Sequence, residues 1–295
     1  MIERPVYFAC ADDTLFGMLT LPDGGSESLV VMAGGGGPNA ATFQRNGVAT
    51  RLARGLAQSG LGVLRFDYHG VGDSTGEIGE FDLDKPLRND VEAAVSWGRA
   101  EGFEHIGLLG ICFGSRTALS VLDSGEKVSA FVLVTMPIAE AIEVVAETLG
   151  VRGVVRRLFR LNTWTRLADP SKRQGYSKLF KSVGSRAIQN RLRTPQVRQN
   201  ASSRLKRAGS QMVPVLMLYG NEDASYLNAR RVLEALSRDY PSIEVDATYP
   251  GELHNFPSLP VQRAFVASVT AWLAPAMSSK AGDPPAERQL STELN

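Results

Sequence analysis

Gly110-Ile111-Cys112-Phe113-Gly114 sets a nucleophilic side chain between two glycines, the Gly-x-nucleophile-x-Gly pattern of a nucleophile elbow with cysteine where serine usually stands. The apolar run His105 to Leu109 before it reads as a short buried strand, and Ser115 to Leu122 after it as a helix. In so sharp a turn the glycines are needed because a Cβ would collide with the adjoining strand or helix. The helix N-terminus would then favour a thiolate. The chemistry this suggests is attack on a carbonyl carbon with formation of an acyl-cysteine. An inert, buried cysteine in a glycine-flanked turn would give the same five letters, so the rest of the chain must supply a base, an acid to orient it and donors for an oxyanion.

All three can be read in order. Val213 to Tyr219 is an apolar strand, and Gly220-Asn221-Glu222-Asp223 leaves it as a polar turn that sets Asp223 just past the strand's end. Ile243 to Thr248 alternates like a strand and leads into a loop carrying His254, one of three histidines in the chain. Alone, His254 would be an ordinary surface residue. In the order Cys112, Asp223, His254 it becomes the candidate base, with Asp223 expected to hydrogen bond its ring. The strand Leu29 to Ala33 runs into Gly34-Gly35-Gly36-Gly37-Pro38, whose bare N–H groups can approach a substrate oxygen. Gly34 or Gly35 would supply one oxyanion donor and the N–H of Phe113 the other. No Gly-Lys-Ser/Thr closes the glycine run, which excludes a Walker phosphate loop. Ser115 is the reserve nucleophile and His69 the reserve base.

These residues, with Leu64-Arg65-Phe66-Asp67-Tyr68-His69-Gly70-Val71-Gly72-Asp73-Ser74, make the chain resemble an α/β-hydrolase. That segment is similar to the superfamily's Asp-x-Arg-Gly-x-Gly-x-Ser loop, with His69 in the arginine position. The cysteine elbow, Leu15-Phe16-Gly17-Met18-Leu19 and the 64–76 segment are similar to the dienelactone hydrolases and to bacterial hydrolases associated with the exosortase system. Ser115 departs from the former, which commonly carry a second glycine there. The resemblance implies a mostly parallel, doubly wound sheet, with a core over residues 1–137 and 212–275 and an inserted helical cap over 138–211.

The elements agree with that architecture. Strands over Val6 to Cys10, Leu15 to Leu21 and Leu29 to Ala33 are followed by alternating helices and strands, with helices expected at Thr42 to Ser59, Leu87 to Glu101, Ser225 to Arg238 and Leu259 to Leu273. From Ser278 the chain is polar and contains Pro284-Pro285, and residues 276–295 read as a disordered tail. At 295 residues and 43% hydrophobic composition the chain suits one enzyme domain with an insertion. With neither a signal-like start nor an apolar run long enough to span a bilayer, a cytoplasmic protein is expected. Cys10 reads as a small buried strand residue. No zinc-like ligand spacing or cofactor motif is present.

The net charge of +1 conceals a segregation: between Val151 and Arg207 there are 16 Lys and Arg against one acid, Asp169. Such a run can be a solvated face or an anion-binding surface, with Arg156, Arg157, Arg204, Lys206 and Arg207 as the candidate clusters. Candidate partners are coenzyme A, an acyl carrier protein or an anionic membrane surface; nucleic acid fits poorly, because the neighbouring aromatics fall at core-like spacing. The expected function is a Cys-His-Asp (thio)esterase or acyltransferase on a carried acyl group. The alternatives are a hydrolase of small esters or lactones, and an inactive hydrolase-fold protein that binds an anionic partner.

Overall fold

The computed structural model describes residues 1–35, 45–78, 83, 85–138 and 196–278. Eight strands, β1 (Ile2–Cys10), β2 (Asp13–Leu21), β3 (Ser28–Ala33), β4 (Gly62–Phe66), β5 (His105–Ile111), β6 (Ala130–Val134), β7 (Val215–Gly220) and β8 (Ile243–Tyr249), form one sheet in the order β1-β2-β4-β3-β5-β6-β7-β8. The β1–β2 hairpin is antiparallel to the rest, and β3 to β8 are parallel. The described helices are α1 (Val48–Gln58), α2 (Arg88–Ala100), α3 (Phe113–Ser120), α4 (Gln196–Ser210), α5 (Ala224–Asp239) and α6 (Leu259–Ser278). This is the α/β-hydrolase fold.

The central strands are largely apolar, with few exceptions such as Ser28, Arg65 and His105, because both faces are covered. Leu29, Val31, Leu108, Leu133 and Met217 enter one core with Val91, Leu119 and Leu233 of α2, α3 and α5. Val30, Met32, Leu109, Val132 and Leu218 enter the other with Leu52, Leu56, Phe265 and Leu273 of α1 and α6. Two-residue alternation along each strand thus feeds two layers. The register also aligns strand ends: Ala33 lies opposite Gly110, Ile111 opposite Val134, and Val134 opposite Leu218. Every candidate catalytic loop therefore leaves the sheet from the same edge.

Three expectations are corrected. Helix α1 starts at Val48, not Thr42, because Asn46 and Gly47 hold φ values of 62° and 65°, outside the helical region. Helix α4, placed in the cap by its position between two strands and by its charge, buries Ala201, Leu205 and Ala208 in the same apolar core as residues of α3. The final helix does not stop before Pro275 but continues to Ser278, because Met277 is fully buried where a Cβ on Gly107 would come within 2.7 Å of its sulfur. The rest of the cap, with Arg156 and Arg157, and the tail beyond Ser278 lie outside the described residues. No helix among the described residues is long and apolar enough to cross a membrane.

If α4 belongs to the core, Leu205→Ala should lower unfolding free energy in urea by about 2–5 kcal/mol, the cost of a cavity at a buried leucine. A loss within about 0.5 kcal/mol, the range of surface substitutions, would return α4 to the cap.

Candidate active site

Cys112 joins β5 to α3 with φ 51° and ψ −112°, a conformation that costs a residue with a Cβ about 1–3 kcal/mol. Its neighbours explain how the turn closes. A Cβ on Gly110 would lie 2.4 Å from both the carbonyl oxygen of Gly114 and the nitrogen of Ser115; one on Gly114 would lie 2.2 Å from the oxygen of Ala33 and 2.3 Å from that of Gly34. The first turn of α3 therefore sits at backbone contact with the end of β3, which brings Gly34 to the elbow. The Cys112 N–H donates to Val134 O at 2.8 Å. Ser115 is fully buried, with its hydroxyl bonded to Gly110 O at 2.7 Å and 3.1 Å from Val134 O. It braces the turn, which corrects its reading as a reserve nucleophile.

The sulfur is only partly exposed. Burial pushes the thiol up, the Phe113 N–H directed at it pulls down, and the charge of Asp223 pushes up again, leaving it above its ordinary value. Burial thus opposes the thiolate that the helix N-terminus alone suggested. At the oxyanion side Gly34 and Gly35 are half-buried. The buried Tyr68 donates its hydroxyl to Gly34 O at 3.0 Å and fixes the start of the glycine loop. Gly36, Gly37 and Pro38 lie outside the described residues.

The loops after β7 and β8 are laced together. A Cβ on Gly220 would fall 2.1 Å from Gly251 O; Asn221 N–H donates to Tyr249 O at 2.8 Å, Glu222 N–H to Gly251 O at 3.1 Å, and Gly251 N–H to Asn221 Oδ1 at 2.9 Å. Asp223 is 3% exposed and accepts the main-chain N–H groups of Gly220 at 2.6 Å, Leu253 at 3.3 Å and His254 at 3.4 Å. The carboxylate thus grips the histidine loop by its backbone. The exposed His254 ring has its Nδ1 3.4 Å from Thr135 Oγ1, and not on Asp223 as expected. Thr135, the residue after β6, was not singled out by sequence; its position at the end of the strand between those of Cys112 and Asp223 is the signal that would have found it.

His69 belongs to a separate cluster. Its N–H and Nδ1 reach Asp90 at 2.8 and 2.9 Å, and Cys10 Sγ lies 3.7 Å from the same carboxylate, beside a cavity of about 450 Å³. Burial, then the charge of Asp90, pushes the Cys10 thiol up to about 11. His69 is therefore not the reserve base of the elbow. Arg204 and Arg207, candidate anion contacts, have partners within the protein. Arg204 Nε donates to Asp123 Oδ2 at 3.0 Å, and Arg207 Nη1 to Leu122 O at 2.9 Å, tying α4 to the end of α3. The Arg204 hydrogen bond holds the Asp123 carboxyl below its ordinary value. Lys206 is exposed. Among the described residues no group of three His, Cys, Asp or Glu is placed to hold a metal ion.

Iodoacetamide should therefore modify Cys112 first and leave Cys10 unmodified at neutral pH, by intact mass and peptide mapping. Because the Cys112 thiol is raised, its alkylation rate should still be climbing with pH above the ordinary thiol range. Equal labelling of both cysteines, or a plateau near neutrality, would contradict this reading of the two thiols.

Several solved structures share this fold. The esterase Pf2001 of Pyrococcus furiosus superposes with a TM-score of 0.63 at 18% identity, covering 94% of each chain. A proline iminopeptidase of Mycobacterium smegmatis gives 0.59 at 15%, covering 92% of this chain and 98% of that one. Est1E of Butyrivibrio proteoclasticus, solved with ferulic acid bound, gives 0.59 at 16%, covering 93% and 100%. At these identities the likeness is one of fold. No curated protein matches the chain. The model of the family described as "Serine aminopeptidase, S33" matches residues 28–257, most of the sequence and all of the strands from β3 to β8, so the chain belongs to that family of α/β-hydrolases, an enzyme of esterase or peptidase type with cysteine at the elbow.

Proposed function

We propose that the protein is an acyl-transfer enzyme that works through an acyl-cysteine on Cys112, with His254 as base and Asp223 as the acid that positions it. The observation that carries this reading is the elbow: a left-handed cysteine, at the start of a helix, with the Phe113 N–H on its sulfur. His254 takes the thiol proton as sulfur attacks the carbonyl carbon. The oxyanion is held by the N–H groups of Phe113 and of Gly34 or Gly35. Collapse expels the leaving group, which takes the proton from His254. A second nucleophile then gives His254 its proton and attacks the acyl carbon, and sulfur departs and recovers a proton from His254, which restores the thiol and the neutral ring.

Cysteine suits a thioester donor, because sulfur exchanges for sulfur at little cost in energy and the acyl-cysteine stays open to acceptors other than water. The basic run between Val151 and Arg207 supports a donor carried on coenzyme A or an acyl carrier protein. A second reading, hydrolysis of small esters or lactones by water, is favoured by the pairing of Arg204 and Arg207 with the end of α3, which removes two of the proposed anion contacts. The kinship suggested by the cysteine, to dienelactone and exosortase-associated hydrolases, belongs to the same proposal and rests on the elbow and the 64–76 segment.

Turnover of butyryl-coenzyme A and of 4-nitrophenyl butyrate by wild type and Cys112→Ala tests these readings together. Loss of at least about 10³-fold on both substrates is expected for Cys112→Ala. A kcat/KM for the thioester that falls steeply with added salt, beside an unaffected ester, supports the carried donor; equal salt responses support the small ester. Near wild-type turnover by Cys112→Ala overturns the acyl-cysteine.

A further inference from the structure

We infer that Thr135 is a positioning residue for His254: its hydroxyl holds Nδ1 of the ring and so decides which ring nitrogen can accept the Cys112 proton. This rests on the proposed Cys112–His254 chemistry and adds to it a residue outside the Cys, His and Asp set.

Three observations converge. Thr135 follows β6 with φ 46°, a left-handed conformation that a β-branched side chain rarely adopts. It is 1% exposed, so the strain is held by its surroundings. Its Oγ1 stands 3.4 Å from His254 Nδ1, the contact that the described structure gives to the ring.

The backbone shows how the strain is held. Thr135 N–H donates to Leu218 O of β7 at 2.7 Å, while the carbonyl of the preceding Val134 receives the Cys112 N–H at 2.8 Å. Residue 135 is thereby fixed on one side to the strand that leads to Asp223 and on the other to the elbow. A side chain locked at that junction is a rigid reference point for an exposed ring. Strain kept at such a place is expected where it positions a functional group.

The tautomer gives the contact its consequence. When Nδ1–H donates to Oγ1, Nε2 is left with its lone pair and can take a proton. When the threonine hydroxyl donates instead, Nε2 carries the hydrogen and cannot act as base. The first arrangement is the working one. Asp223, which holds the loop through the N–H groups of Leu253 and His254, fixes the height of the ring and Thr135 its orientation.

The test is the pH profile of Cys112 alkylation by iodoacetamide, read by intact mass for wild type, Thr135→Val, Thr135→Ser and His254→Ala, with thermal denaturation of each. Thr135→Val keeps the branched shape and should melt within a few degrees of wild type, yet alkylate about fivefold more slowly near neutral pH, with its profile moved to higher pH, the loss of one ordinary hydrogen bond. Thr135→Ser, which keeps the hydroxyl, should return to the wild-type rate. A wild-type profile in Thr135→Val beside a slowed His254→Ala overturns the role of Thr135 and leaves the Cys112–His254 reading standing. Wild-type profiles in both variants overturn both. A Thr135→Ser variant as slow as Thr135→Val also overturns it, because the hydroxyl would then not be what matters.

Discussion

The close approach of α3 to the ends of β3 and β5 is the constraint on which the site depends. The turn around Cys112 can close this tightly because the residues two positions away on each side carry no side chain: Gly110 faces the backbone of Gly114 and Ser115, and Gly114 faces the carbonyls of Ala33 and Gly34. With those atoms already at contact distance, a methyl group at either position would force strand and helix apart and turn the sulfur away from the Phe113 N–H. The parallel register of β3, β5, β6 and β7 supplies the rest, since it sets the glycine loop, the elbow, Thr135 and the acid loop side by side at one edge of the sheet.

Electrostatics at the elbow work in opposition. Partial burial disfavours the thiolate, the nearby Asp223 charge disfavours it further, and a single backbone N–H favours it. Because burial wins, the sulfur needs a base at the moment of reaction, as a serine would. On the proposed chemistry that task falls to His254, and the orientation of its ring then matters. The carboxylate of Asp223, with three backbone N–H partners, is committed to holding two loops in place. An acid spent on the backbone leaves room for a different side chain at the ring.

The elbow, the two later loops and the strand sequence were legible because each rests on local pattern: glycines at fixed offsets, apolar runs, a polar turn after a strand. What stayed hidden depends on tertiary contact. Helix α4 looked like part of a basic cap, since it ends the basic run that lies between two strands of the sheet, yet Ala201, Leu205 and Ala208 face the core and two arginines reach across to Asp123 and Leu122 at the end of α3. The last helix was expected to end at Leu273, but burial of Met277 carries it on to Ser278 through Pro275. The contact of His254 with Thr135 joins residues 119 apart in sequence and leaves no periodic trace. Ser115 read as a spare nucleophile because a hydroxyl beside a motif gives no hint that two carbonyls already hold it.

The most direct measurement of the central claim, that Cys112 carries the acyl group, is to mix the enzyme with excess acyl donor, quench in acid during turnover, and map the peptides by mass spectrometry. An acyl-mass increment on the peptide containing Cys112, labile to hydroxylamine at neutral pH as a thioester is, is the expected result. Turnover with the increment on another residue, or with no increment in wild type and undiminished rate in Cys112→Ala, would contradict it.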